Sequence, residues 1–325
     1  VGDGVTDDTT AINSAMTACY NAGGGYVYFP ASTYIITSQL VVKNKVKLRG
    51  DGERTSTIKL GGSFPSSTYG IKISDTVNTI AYDARVEILN IECNSITGSG
   101  GVQLDNTAQE RSGVFGCIVT NFKDYGIKAV SSQNCGVEDL ELNQATGATG
   151  GISWSGVSGR SYIRNVSIVP NAGTGTYGIN ANNCNNVVIS DIQPGSHTYG
   201  VYFAGSGAGI ISHIYAGGNS LGPTTYLVYL TGGSADVVLM SIGNNGYTNT
   251  VYEGVSGTTY ADSNIDFLVP RQIQMGQCRV YTGVGSPAGS ITANVGSLYL
   301  RADGGTSTTL YVKESGSGTS GWVAK

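Results

Sequence analysis

The side chains of this sequence that could do chemistry fall at a repeating distance. Glu141, Asp191 and His213 each stand fifth in a short alternating segment that begins on a small or apolar anchor, as in "VEDLEL" (137–142), "VVISDI" (187–192) and "GIISHI" (209–214). The same place reads Asn90, Ile118, Ser167 and Ser241 in the other segments. Stacked in register at about 4.8 Å per rung, Glu141 and Asp191 would stand roughly 9–10 Å apart. Inverting glycosidases hold their acid and base about 6.5–9.5 Å apart to admit a water, so hydrolysis is within reach, with His213 one rung beyond Asp191. The competing expectation is a structural ladder, in which polar side chains bond to turn backbone, as Asn90, Ser167 and Ser241 suggest. A second candidate surface is the outward series Tyr202, Tyr229, Tyr252, whose flat rings suit sugar faces and equally suit cross-strand stacking or an interface between copies. Arg164 is a candidate substrate contact, and Arg160 and Arg164 are the arginines of the central segments.

The elements that position these residues come from a repeat. An apolar marker recurs at Ile71, Val102, Ile127, Ile152, Ile179, Val201, Val228 and Val251, in steps of roughly 22–31 residues and often after Tyr-Gly. A second column follows, read as Val86, Val114, Val137, Ile163, Val187, Gly209-Ile210, Val237 and Ile265. Two residues after each first-column marker the chain is again apolar (Leu104, Ala129, Trp154, Ala181, Phe203, Leu230), which is strand alternation. Two or more short strands per repeat, separated by Gly, Asn and Ser, describe a parallel β-solenoid with inward side chains filling a common core. Tyr-Gly marks the corner where each coil turns into a strand.

Composition agrees. Only 12% of the 325 residues are charged, while Gly reaches 49 and Tyr 20, which excludes a charged disordered chain and disfavours a helical bundle. With 18 basic and 22 acidic residues and no basic run, there is no nucleic-acid footprint. No apolar stretch is long enough to span a membrane, and the opening "VGDGVTDD" has neither Met nor a signal core, which reads as a trimmed fragment. The six cysteines (Cys19, Cys93, Cys117, Cys135, Cys184, Cys278) lack metal-ligand spacing and read as buried thiols, with disulfides left open. No cofactor and no metal is expected.

The ends of a solenoid need caps. "TDDTTAINSAMTACYNAG" places Asp8 or Thr9 before Ile12, Ala15, Met16 and Cys19 at helical spacing and closes on Gly23, predicting an amphipathic capping helix. The stretch from residue 2 to 36, with Gly-Asp-Gly-x-x-Asp-Asp-Thr, a Gly-Gly-Gly strand and a Phe-Pro turn, resembles the opening motif of the pectate-lyase-like superfamily. That resemblance implies a right-handed single-stranded parallel β-helix and a polysaccharide context. Beyond about residue 268 the period fails, and segments 297–301 and 308–313 flank a Gly-Gly turn as a β-hairpin. This tail resembles the C-terminal segment of phage tail fibres and tailspikes, which implies a homotrimer. The expected organisation is an opening region with the capping helix (1–60), the β-helix coils (61–268) and a C-terminal β-rich trimerisation segment (269–325).

The signatures of particular enzymes are missing. Polygalacturonases carry Gly-His-Gly and a catalytic Asp-Asp, whereas His197 sits in "GSHTY", His213 in "ISHIY", and the one Asp-Asp is Asp7-Asp8 of the opening motif. The clustered acids of calcium-dependent pectate lyases are absent too. The resemblance therefore implies a phage tailspike that recognises and depolymerises a bacterial surface polysaccharide, hydrolase rather than lyase. It would act on the virion tail outside the host cell, be made in the host cytoplasm, and join the tail or baseplate through a preceding region. The alternatives are a non-enzymatic trimeric adhesion fibre and a secreted pectinase-like enzyme.

Overall fold

A computed structural model describes residues 1–325 except 78–79, 106–107, 172–174, 206, 216–224, 233–236, 244–248, 255–258, 262–271 and 276. The chain divides into two units, Val1–Phe267 and Leu268–Lys325. The first is a parallel β-solenoid, as expected. Every coil contributes one strand to a sheet built on the Tyr-Gly corners, whose nine strands run from Leu40–Val42 through Tyr69–Ile73, Gly100–Leu104, Tyr125–Val130, Gly150–Ser155, Tyr177–Asn182, Tyr199–Ala204 and Tyr226–Thr231 to Asn249–Gly254. The register is that of the first sequence column: Ile71, Val102, Ile127, Ile152, Ile179, Val201, Val228 and Val251 pair rung by rung.

The inward positions form the core. Along the sheet the second inward column reads Leu104, Ala129, Trp154, Ala181, Phe203, Leu230, all sealed from solvent. Trp154 has an alanine on the rung before and another on the rung after, so one large ring occupies the space that two small neighbours vacate. The corner column uses the same device on the outer side. Tyr69 and Tyr125 are buried, and a Cβ at Gly150 would lie 2.6 Å from the Tyr125 ring while one at Gly100 would overlap the Tyr69 ring. Ring and glycine alternate over these first four rungs, and from Tyr177 on the column carries a ring on each of three successive rungs.

The companion sheet carries the bent strands Gly136–Gln144, Ser161–Val169, Val187–Gln193, Gly209–Tyr215 and Val237–Gly243, preceded by the interrupted pairs Arg85–Glu87 with Asn90–Glu92 and Gly113–Phe115 with Ile118–Phe122. In all but Val237–Gly243 the bend is one residue in the left-handed region: Ile88, Gly116, Asp139, Asn165, Asp191 and His213, with φ between 50° and 59°. Asn, Asp, His and Gly adopt that conformation at little cost, which is why they recur here.

The capping helix is Thr9–Asn21, with Thr9, Ile12 and Met16 buried; Ala15, expected on the apolar face, is exposed. Asp8 occupies the N-cap position, yet Asp7 accepts the Thr9 N–H at 3.0 Å, while the Asp8 carboxylate turns to the Gly2 N–H. All six cysteines are free thiols. Cys117, Cys135 and Cys184 each donate Sγ–H to a carbonyl of the previous coil, the part a turn serine would play, and burial pushes the first two up to about 12 and Cys184 to about 11. No helix among the described residues is long and apolar enough to cross a membrane.

The second unit is a five-stranded sheet, Gln272–Met275, Cys278–Gly283, Leu298–Arg301, Leu310–Lys313 and Trp322–Ala324. Leu298–Arg301 and Leu310–Lys313 pair antiparallel, as the hairpin reading expects. Tyr281, Ala293, Tyr299, Tyr311 and Trp322 form its core, and the buried Lys313 donates Nζ to the carbonyls of Gly318 and Ser320.

Candidate functional site

On the outer face of the Tyr-Gly sheet, the column Lys72, Gln103, Lys128, Ser153, Asn180, Tyr202, Tyr229, Tyr252 changes character along the axis. At one end Lys72 pairs with Asp105 at 2.9 Å and Lys128 with Asp124 at 3.5 Å. At the other end two tyrosine columns interleave. Tyr177, Tyr199 and Tyr226 stack at 5.6 and 6.0 Å, Tyr202 stacks on Tyr229 at 5.4 Å, and the two columns meet edge to face at 4.9–5.3 Å. Rungs about 4.8 Å apart place rings at the spacing such contacts prefer. All five rings are half-buried, so part of each remains in contact with solvent. Tyr252 pairs in register with Tyr229, and its side chain lies outside the described residues.

The carboxylates do not fall as the alignment expects. Glu141 pairs with Ile118 on one side and Ser167 on the other, and Ser167 pairs with Gln193, not Asp191. Asp191 lies in the bend column, flanked by Asn165 and His213 on adjoining rungs. The second sequence column is corrected accordingly: Val137 and Ile163 continue into Ile189, Ile211 and Leu239, two residues beyond Val187, Gly209 and Val237. A slip of two preserves the inward and outward faces, so hydrophobic alternation cannot detect it. Ile265 lies outside the described residues, as does the side chain of Ser241.

Glu141 lines a cleft of about 390 Å³ with Glu53, Arg54, Asp139, Asn165 and Ser167. Arg54 donates Nη2–H to Glu141 Oε2 at 2.6 Å and Asn143 Nδ2–H to its Oε1 at 2.8 Å. Asp139 is the bend residue of the same strand, separated from Glu141 by the inward Leu140, and accepts from Asn165 Nδ2 at 2.6 Å. Asp191 and His213 form a looser pair, Nδ1 to Oδ1 at 3.9 Å, both about half exposed. Arg164 lies on the strand half before the bend, with its guanidinium 4.6 Å above the Tyr162 ring and 3.5 Å from Glu138. Among the described residues no group of three or more His, Cys, Asp or Glu is placed to hold a metal ion.

The structure thus brings Glu141 together with Asp139, Glu53 and Arg54 in one cleft, and Asp191 with His213 further along the bend column that Asp139 also occupies, outside that cleft. Asp139, Arg54 and the tyrosines 177, 199 and 226 join the candidate surface. The signal for Asp139 is the apolar-x-polar-apolar repeat "VEDL", "IRNV", "ISDI", "ISHI", which marks the bend.

Residues 1–222 match the family described as rhamnogalacturonase A/epimerase, pectate lyase-like. Mannuronan C5-epimerase AlgE2 of Azotobacter vinelandii is 40% identical over 78 residues, which are 22% of this chain and 8% of that protein. Among solved structures, the tailspike protein of E. coli bacteriophage HK620 in complex with a pentasaccharide aligns with a TM-score of 0.56 at 10% identity, over 83% of this chain and 62% of that one. The Dettilon tailspike protein aligns at 0.51 and 20% identity, over 81% of this chain and 53% of that one. At these identities the likeness to both tailspikes is one of fold, and this chain spans less than two thirds of each of the three proteins.

Proposed function

The chain belongs to the rhamnogalacturonase A/epimerase family of pectate lyase-like proteins, and from that premise we propose that it is the β-solenoid body of a phage tailspike that binds and depolymerises a bacterial surface polysaccharide. The observation that carries this reading is the five-tyrosine face. A row of half-buried rings repeating on successive rungs offers apolar contact to successive sugar rings and hydroxyls to their edges. The epimerase relative acts, by its name, on mannuronan, and the HK620 tailspike was solved with a pentasaccharide. Both support a carbohydrate ligand for this fold. Within the reading, the C-terminal unit trimerises the protein and the site of action is the virion tail, outside the host cell.

Hydrolysis is the reaction assigned to the 390 Å³ cleft. Glu141 and Asp139 supply the two carboxyl groups, one to protonate the leaving oxygen and one to activate water. Asp191 is no longer the partner of Glu141, since it lies outside the cleft and in the bend column, two rungs beyond Asp139. A second reading, a trimeric adhesion fibre that cleaves nothing, is favoured by one observation: both carboxylates are already bonded to neighbours, Glu141 to Arg54 and Asn143, Asp139 to Asn165.

The test is incubation with capsule, exopolysaccharide and O-antigen from candidate hosts, following reducing ends and the absorbance of unsaturated uronates. Reducing ends without absorbance support the hydrolase. Absorbance means β-elimination and removes the carboxylate assignment, and binding without release makes the protein an adhesion fibre.

A further inference from the structure

The strand halves before the bend carry a second, independent surface. Arg85, Gly113, Gly136 and Tyr162 occupy one outer column on four successive rungs, and Glu87, Phe115, Glu138 and Arg164 occupy the next. The two glycines leave the middle rungs without side chains, and the rings fold over them. A Cβ at Gly136 would lie 2.7 Å from the Tyr162 ring and 3.0 Å from Phe115, and one at Gly113 would lie 2.9 Å from Phe115. The result is an aromatic floor under a cleft of about 430 Å³, lined by Arg85, Glu110, Arg111, Phe115, Asn134, Gly136, Arg160 and Tyr162.

The charges around this floor are unequal in their partners. Arg85 is bound by Asp83 at 2.7 Å and Glu87 at 3.5 Å, and it stacks 5.4 Å over Phe115. Among the described residues neither Arg111 nor Arg160 forms an ion pair, and both are exposed at the cleft edge beside the single carboxylate Glu110. They stand on turns that lead into rungs two apart, so their backbones are separated by about 10 Å along the axis.

Arg111 also has φ of 66°. The stacked turns place Lys45, Asp83, Asn134 and Gly159 in that region; Asp, Asn and Gly accept it readily, whereas the long side chains Lys45 and Arg111, with no local hydrogen bond to offer, do not. The fold alone is better served by Asn or Gly at 111. A strained residue that carries an unpaired guanidinium into an aromatic cleft is there for what the guanidinium meets.

We propose that the Arg111–Arg160 cleft is an accessory site for an acidic saccharide. The guanidiniums fork onto carboxylate groups of alternate units while the apolar sugar faces lie on Phe115 and Tyr162. The site uses a different sheet from the tyrosine face and holds the chain without cutting it. It extends the polysaccharide reading but does not share residues with it, so the two stand or fall separately.

The probe is a galacturonate hexamer, titrated calorimetrically into the full chain at low and high salt, beside a neutral glucose hexamer. The hexa-uronate binds and weakens with salt, and the neutral hexamer does not bind at this cleft. Arg111→Asn and Arg160→Gln each lower affinity about tenfold, the order of one charge-assisted hydrogen bond. Arg111→Asn leaves the melting temperature unchanged or higher, which separates lost binding from lost fold. The double variant Tyr202→Ala/Tyr229→Ala binds the hexa-uronate within about twofold of wild type, since those rings lie on the other sheet; loss of binding there places the uronate on the tyrosine face and overturns the accessory site. Equal binding by Arg111→Asn/Arg160→Gln, equal binding of the neutral hexamer, or displacement by inorganic phosphate at matched ionic strength as readily as by free galacturonate each overturns the proposal.

Discussion

Tyr202 lies on Tyr229 at 5.4 Å with the ring planes 7° apart, and the edge of Tyr199 touches both, at 5.3 and 4.9 Å. The stacking follows from the ladder: identical residues on consecutive parallel rungs are delivered at a spacing aromatic rings favour. A cluster of this kind stabilises the coils and presents a repeating surface at once, so its two roles must be separated by measurement.

Tyr202→Ala and Tyr229→Ala should each cost about 1 kcal/mol of stability, because the rings are only half-buried. Each should lower polysaccharide affinity by about tenfold or more. Melting temperature and binding to immobilised host polysaccharide, measured on the same preparations, distinguish the roles: a stability loss with unchanged binding leaves the rings as ladder supports and withdraws the binding face.

The carboxylate cleft makes a sharper prediction. Glu141→Gln and Asp139→Asn should each slow reducing-end release by about a hundredfold or more while leaving binding intact. Asp191→Asn should cleave at the wild-type rate, because Asp191 sits outside that cleft. Undiminished cleavage in the first two sinks the assignment.

The bend column predicts a stabilising change. Ile88 is the β-branched member of a series otherwise made of Gly, Asp, Asn and His, at φ 55°. A β-branched side chain is strained there, so Ile88→Asn should raise stability by about 1 kcal/mol, read as a higher urea midpoint at unchanged slope. A lower midpoint would mean that the half-buried Ile88 side chain contributes more by packing than the backbone loses.

How far the sequence revealed these things follows from what each signal encodes. The Tyr-Gly column was legible to the residue, because an inward Ile or Val every coil has no alternative place in a stacked core. The companion sheet was legible in its strands but not in its register. "VVISDI" offers Val187 and Ile189 equally as the inward anchor, and only the bend residue distinguishes them. The same ambiguity displaced the site: Asp191 and His213 drew attention as titratable groups, whereas their position is dictated by a left-handed backbone those residue types tolerate. Arg54 was invisible, since the loop that carries it to Glu141 is 87 residues away in sequence and outside the repeat.

The core predicts its own weak points. Gly100→Ala should be strongly destabilising although it adds one methyl, because that methyl meets the Tyr69 ring on one side and the Tyr125 carbonyl on the other. Trp154→Ala should cost about 3–5 kcal/mol, since Ala129 and Ala181 on the flanking rungs cannot fill the space. Calorimetric melting of both variants checks this, and a loss below about 1 kcal/mol at Trp154 would mean that the coils collapse around the gap.

The last prediction concerns acid. His197 is fully buried; its Nδ1–H donates to the Pro194 carbonyl and its Nε2 faces the Gln144 amide at 3.2 Å. A neutral ring with this tautomer accepts at Nε2, so Gln144 presents its NH₂ group, which also supplies a partner for a buried Gln144 Nε2 otherwise without one. Burial holds the imidazole pKa down to about 4, against an ordinary 6.5. Between those values the unfolded chain binds a proton that the folded chain refuses, so stability is fully present above pH 6.5 and is lost as pH falls toward 4. The loss attributable to this group is at most about 3 kcal/mol. Urea midpoints measured from pH 7 to 4 should fall for the wild type, and His197→Gln should flatten the part of that slope centred between pH 6.5 and 4. An unchanged slope in the variant would assign the acid sensitivity to the ion-paired carboxylates instead.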